Sequence, residues 1–200
     1  MITILTKIFT NIVTTIYQYI WFALLAAVLF MFLYLFAGEH GWKESFKVWL
    51  GSFRRRSAFR RVFLLALYMI LVLFRTLLNR ELWLNPLSDI FGGWGLYTEN
   101  GVFTTEAIEN FLLLLPFILL LFWAKGSYVY GKRDRCLSMV WAGIKIAFCF
   151  SLAIECIQLF FRLGTFQFSD LCYNTLGGGV GALIYNLGRR GIRALKSKNT

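Results

Sequence analysis

From Ile8 to Gly38 the chain carries no charged residue. A segment this long and apolar does not suit a folded surface in water. In a bilayer it is stable only as a helix, because its backbone N–H and C=O groups must then pair within the segment. It is too long for the apolar core of a cleavable signal peptide, and no small-residue cleavage site clearly follows it. We read Ile12–Phe36 as a membrane span. Four more apolar runs follow: Val62–Leu78, Thr105–Ala124, Cys136–Phe161 and Asp170–Leu187. At 58% hydrophobic residues the chain exceeds ordinary soluble domains, and 200 residues leave no room for a second folded module. The expected fold is an all-α integral membrane protein. It is one membrane domain over residues 1–200, a bundle of about five transmembrane helices.

The net charge of +11 would ordinarily suggest nucleic acid as a partner. Its distribution argues against that. The bases collect in the loop Glu39–Arg61, which includes Arg54, Arg55 and Arg56, in the loop Lys125–Arg135, and in the tail 188–200. This is the positive-inside pattern. It predicts a multi-pass protein of the cell membrane with its N-terminus outside and its C-terminus cytoplasmic. Membrane lipids are then the expected partners, with anionic headgroups drawn to the basic loops. Within the first basic loop, Trp42, Phe46, Trp49, Leu50 and Phe53 recur near the helical period, which predicts a short interfacial helix. The connection Asn79–Thr104 holds Glu81, Asp89 and Glu99 against the single base Arg80. Together with Trp83, Trp94 and Tyr97 this suits the outer face, with part of the connection on the membrane surface or folded back on the helices. Thr105 is placed to cap the next helix, and Pro116 to kink it.

Cys136, Cys149, Cys156 and Cys172 form no CxxC pair, and His40 is the sole histidine. No metal-ligand spacing results, so neither metal nor cofactor is expected, and the cysteines read as small packing residues.

The informative residues are the polar ones that interrupt the spans. Glu155, Gln158 and Arg162 are spaced i, i+3, i+7, which puts them on one stripe of an ideal helix. Asp170 and Asn174 follow at i, i+4, while Arg75, Glu109 and Asn110 map to the ends of other spans at the same level. A charge at mid-bilayer costs about 2.5–3.5 kcal/mol on insertion scales and less near the interface, so such groups are either paired or used. One reading is a network that staples helices, with Arg162 paired to Glu155 or Asp170 and Asn174 bonding across helices, at about 0.6 kcal/mol per bond. The other is a functional site. Gly177 and Gly181 have GxxxG spacing, which fits close helix packing or a smooth path for a lipid chain. Lys145, inside the fourth span, either snorkels to the cytoplasmic side or takes a buried role.

In order, Glu155, Gln158, Arg162, Asp170, Asn174, Thr175, Gly177 and Gly181 resemble the terminal signature of the VanZ-like family of bacterial membrane proteins. Asn110–Phe111 through Pro116 resembles an earlier element of that family, with Ile118 where the family has glycine. Asn85–Pro86 echoes an Asn-x-x-Pro-Phe element at altered spacing. The resemblance covers about residues 75–187. It implies a cell-envelope role, since the family's namesake is associated with resistance to the glycopeptide teicoplanin in Gram-positive bacteria.

Two classes of function follow. In the first, an outer-leaflet polar cluster binds an anionic or lipid-linked envelope component, or alters antibiotic access to it. Arg75 and Arg162 would then meet phosphate or carboxylate, Gln158 and Asn174 would bond headgroup oxygens, and Glu155 and Asp170 would hold the arginines. In the second, an intramembrane enzyme acts on a lipid headgroup or lipid-linked sugar, with Glu155 and Asp170 as acid and base. The sequence offers that enzyme no Ser-His, Cys-His, metal or phosphate-loop constellation. A small transporter is a further alternative.

Overall fold

The computed structural model describes residues 31–78, 82–97, 100–130 and 136–198, together with Phe22, Ala26 and Leu29. Most of the first expected span lies outside these residues, as do Arg80, Glu81, Glu99, Lys132, Arg133 and Arg135. Residues 31–40 are helical. They lead into α1 (Trp42–Arg55) and α2 (Ser57–Leu73), which a π turn, Phe74–Leu78, extends. Three longer helices follow, α3 (Glu106–Val129), α4 (Cys136–Phe161) and α5 (Phe168–Lys198). Among the described residues no strand forms, only an isolated bridge between Tyr97 and Phe103. The protein is all-α, as expected. The segments Ser57–Leu77, Glu106–Gly126 and Cys136–Phe161 are long and apolar enough to cross a membrane.

The basic loop expected over Glu39–Arg61 is mostly helix. Trp49 stacks with Phe46 and Phe53 along α1 and meets Phe59 and Phe63 of α2 edge-on, at centroid distances from 5.4 to 6.4 Å. Arg56 breaks the two helices apart with an extended φ of −109°. Arg60 then donates to the carbonyls of Phe53 and Arg54, which the end of α1 leaves open. Trp42, Phe46 and Trp49 remain exposed, as an interfacial helix requires.

α5 lies between α3 and α4, and its glycines set the spacing. A Cβ on Gly177 would lie 1.9 Å from the Phe111 carbonyl oxygen, and one on Gly181 would lie 2.5 Å from that of Leu115. The next face packs as closely on α4, where a Cβ on Gly178 would lie 2.2 Å from that of Ala147. The GxxxG pair therefore serves backbone-to-backbone packing, and no lipid chain passes along that face. Ile118 is fully buried and points its branched end toward Gly143 and Gly178. A large residue on α3 thus stands opposite small ones on α4 and α5.

Several expectations change. Thr105 occupies the N-cap position of α3, but its hydroxyl donates to the Glu109 carboxylate rather than accepting from the backbone. The hydroxyl of Thr104 accepts from the Glu106 N–H instead. Pro116 leaves helical dihedrals intact, and the non-helical residue of α3 is Lys125. Lys145, by contrast, keeps to the first of its two expected roles: it lies exposed with its ammonium 5.7 Å from the Trp141 ring, one turn toward the start of α4. The fifth span runs on past Leu187, so most of the basic tail is helix.

Cys149, Cys156 and Cys172 are exposed and Cys136 is half-buried. The cysteines therefore do not fill the interior as the sequence suggested. Replacing Cys149, Cys156 and Cys172 together by alanine should shift stability by no more than about 0.5 kcal/mol per site. Thermal unfolding in detergent checks this, and a collapse of the midpoint would show that these thiols pack after all.

Candidate functional site

The buried stripe of α4 runs Met139, Gly143, Ala147, Ser151, Glu155 and Gln158, at spacings of four and then three. This face meets α5. Glu155 is 3% exposed and Gln158 4%. Arg162 would extend the stripe on an ideal helix, but α4 ends first. The Leu163 N–H bonds to the Gln158 carbonyl at 2.8 Å and the Arg162 N–H to that of Leu159 at 3.3 Å, the paired bonds of a Schellman cap. Arg162 takes the left-handed position of that cap, with φ 55°, where glycine is usual. Its side chain is exposed, and among the described residues it makes no ion pair with Glu155 or Asp170. Among the described residues, the arginine staple of the first reading does not form.

Gln158 does different work. A π turn leaves backbone groups outside the regular helical ladder, and the Thr76 carbonyl is one of them. The Gln158 side-chain amide donates to it at 2.7 Å in a buried setting. The Thr76 hydroxyl bonds back to the Val72 carbonyl at 2.9 Å. This bracing fixes the turn that carries Arg75, whose guanidinium pairs with Glu109 on α3. Glu109 is held from its other side by the Thr105 hydroxyl at 2.6 Å.

Asn110, one residue on, donates to Asp170 in the first turn of α5. One turn deeper, the Asn174 amide donates to the Ser151 hydroxyl of α4 at 3.0 Å, and both are buried. Glu155 accepts from the Gln167 backbone N–H at 3.4 Å, which ties α4 to the turn entering α5.

The connection after the π turn closes over this end of the bundle. The Trp83 N–H donates to the Arg162 carbonyl, Phe166 to Pro86 and Phe168 to Ile90, at 2.8 to 3.0 Å. The Gln167 side chain donates to Asp89 at 2.6 Å, and the Tyr173 hydroxyl accepts from the Gly95 N–H at 3.1 Å. Gly93, with φ 74°, passes so close to Gln167 and Ser169 that a Cβ would lie 2.7 Å from both side chains. The connection is folded back on the helices, one of the two arrangements expected of it.

Between these elements lies a polar cavity of about 270 Å³, lined by Arg75, Glu106, Glu109, Asn110, Thr165, Gln167 and Asp170. A larger cavity of about 490 Å³ adjoins it through Glu106 and is walled by Asp89, Trp94, Tyr97, Asn100 and Thr104 of the connection. Of the residues singled out from sequence, Arg75, Glu109, Asn110 and Asp170 meet in the smaller cavity. Glu155, Gln158 and Asn174 lie in the packed layer behind it, and Arg162 stands apart at the cap.

Sequence reasoning missed Thr165, Gln167, Ser151 and Glu106. Ser151 was open to discovery, since it stands one turn before Glu155 on the same face. Thr165 and Gln167 were not, because nothing local says where a turn between two helices points. Among the described residues no group of His, Cys, Asp or Glu is arranged to hold a metal ion.

No curated protein and no solved structure gives a significant match to the chain. The family model described as VanZ/LLP1 matches residues 6–189. That match takes in the signature residues of α4 and α5, and it reaches well before the 75–187 region in which the resemblance was visible, through the first span and the basic segment. The polar end of this helical bundle thus lies wholly within the matched region, and the chain belongs to the VanZ/LLP1 family.

Proposed function

We propose that this is an envelope protein of the bacterial cell membrane that recognises a membrane-borne envelope component through the polar cavity at the closed end of its bundle. In this reading the cavity faces outward, the N-terminus is outside, and the basic α1–α2 segment and tail face the cytoplasm. Binding there would alter the access of a glycopeptide such as teicoplanin to its target. The observation that supports it is the meeting of Arg75, Glu109, Asn110 and Asp170 from three helical segments around one cavity. A network needed only for stapling has no reason to leave such a space. The acid–base alternative asks Glu155 and Asp170 to share one site. Asp170 lines the cavity, whereas Glu155 is buried behind it against the Gln167 backbone.

The test is susceptibility to teicoplanin and vancomycin in a Gram-positive host that expresses the chain. Wild type should raise the teicoplanin threshold. Arg75→Ala and Asp170→Asn should abolish the rise at equal membrane abundance by immunoblot. A flat response to wild type, or full activity in both variants, would sink the proposal.

A further inference from the structure

The connection between α2 and α3 brings three aromatic side chains to one polar space. Phe91, Trp94 and Tyr97 wall the cavity of about 490 Å³ together with Asp89, Thr104 and Glu106. The three rings are 77%, 52% and 66% exposed. Aromatic residues that only mark the membrane–water boundary turn toward lipid. These share their wall with two carboxylates and a hydroxyl, groups that a hydrocarbon chain cannot satisfy.

Each ring is held from one side. Phe91 stacks on Phe168 of α5 at 5.6 Å, Trp94 leans on Tyr173 of α5 at 5.8 Å, and Tyr97 meets Phe103 edge-on at 5.8 Å. The backbone between them is fixed as well, since the Gly95 N–H bonds to the Tyr173 hydroxyl. A Cβ on Gly92 would collide with the Asp89 carboxylate, so glycine there gives that carboxylate its place. A pyranose ring matches such a lining. Its C–H faces stack on the electron-rich faces of aromatic rings. Its hydroxyls both donate and accept, so carboxylates and a threonine hydroxyl bond them whatever the surrounding charge. The volume also falls within the range of about 300–1,000 Å³ usual for small-molecule sites.

An apolar groove adjoins this cavity. Gly95 and Leu96, between Trp94 and Tyr97 in the chain, line a groove of about 570 Å³ with Ile108 and Leu112 of α3 and Leu176 of α5. Ala107 of the same groove directly follows Glu106 of the cavity. The chain thus passes from polar cavity to apolar groove within one residue at two places. α3 is apolar enough to cross a membrane, so a groove along it is placed for a hydrocarbon chain.

We infer that this surface binds the sugar head of a membrane glycolipid, with a pyranose ring against Trp94 and Tyr97 and a hydrocarbon chain in the α3–α5 groove. The inference rests on the proposed reading of this end of the bundle as a recognition site, and it names the class of ligand.

Native mass spectrometry tests it. The full chain in a polyoxyethylene detergent is given the dodecyl glycosides of glucose, maltose and N-acetylglucosamine, each against a polyoxyethylene ether with the same tail. Wild type should retain at least one glycoside roughly three- to tenfold more than the ether, the range that stacking on one or two rings supports. Trp94→Ala should bring that ratio close to unity. Tyr97→Leu, which keeps the bulk but not the ring face, should lower it at an unchanged thermal midpoint. Trp83→Ala, at an exposed position that is not among the lining residues, should leave it as in wild type. Ile108→Trp, which fills the groove, should reduce retention of glycoside and ether alike. No preference for any of the three glycosides, a preference that survives both aromatic variants, or retention indifferent to Ile108→Trp would overturn the inference. Sugar-dependent retention alongside unchanged glycopeptide susceptibility would instead overturn the envelope function and leave the sugar site standing.

Discussion

Gly177→Leu should abolish the folded bundle. Even the first atom of a new side chain would sit 1.9 Å from the Phe111 carbonyl oxygen, and that neighbour is backbone, which cannot swing aside. Gly177→Ala should therefore lower stability by about 1–3 kcal/mol, against the gain of up to about 1 kcal/mol that alanine brings to an unobstructed helix position. Gly181→Ala should follow in the same direction, since its Cβ would lie 2.5 Å from the Leu115 carbonyl oxygen. Gly188 provides the control on the same helix, because nothing lies within 4 Å of a Cβ there. Gly188→Ala should leave the midpoint unchanged or slightly raised. Fluorescence-detected size exclusion after a heating series reads all of these. A Gly177→Leu chain that runs as a sharp wild-type peak would show that α3 and α5 do not meet at this distance.

The second large effect is expected at Gln158→Leu. Leucine approximates the volume of the amide but offers no donor, so the Thr76 carbonyl loses its 2.7 Å partner inside the bundle. An unsatisfied buried acceptor costs about 1–3 kcal/mol. The consequence reaches beyond stability, because the braced turn presents Arg75 to Glu109. Gln158→Leu should therefore weaken the glycopeptide phenotype in the manner of Arg75→Ala, although Gln158 is not among the residues lining the cavity. A cysteine at position 75, labelled and compared with and without Gln158→Leu, reports the motion directly. Lost stability with unchanged label mobility would assign Gln158 a structural part alone.

Three of the expected spans were legible because apolar length acts on the whole segment at once. Cys136–Phe161 came out with the expected bounds, and the aromatic period of Trp42, Phe46 and Trp49 marked α1. The level of the site was legible too, since Arg75, Asn110 and Asp170 all fall at helix ends. The partnerships were not. Arg162 follows the helical period in sequence, yet α4 stops before it, and a one-residue change in where a cap falls redirects a side chain completely. Gln158 looked like a ligand group because sequence does not show that the helix opposite adopts a π turn with an open carbonyl. Thr165 and Gln167 belong to a turn whose direction is fixed by bonds to Pro86, Ile90 and Asp89, all far away along the chain.

The central position of α5 bears on how the protein is made. α5 is not among the segments apolar enough to cross a membrane by their own composition. Among the described residues its packed glycines find their complements on α3 and α4, and the Asn174 amide finds its partner on Ser151 of α4. Both neighbours precede it in the chain. α5 therefore owes its place in the bundle to contacts with helices that precede it more than to apolar length of its own. The polar residues at the end of α4 and the start of α5 then double as a latch between those two helices.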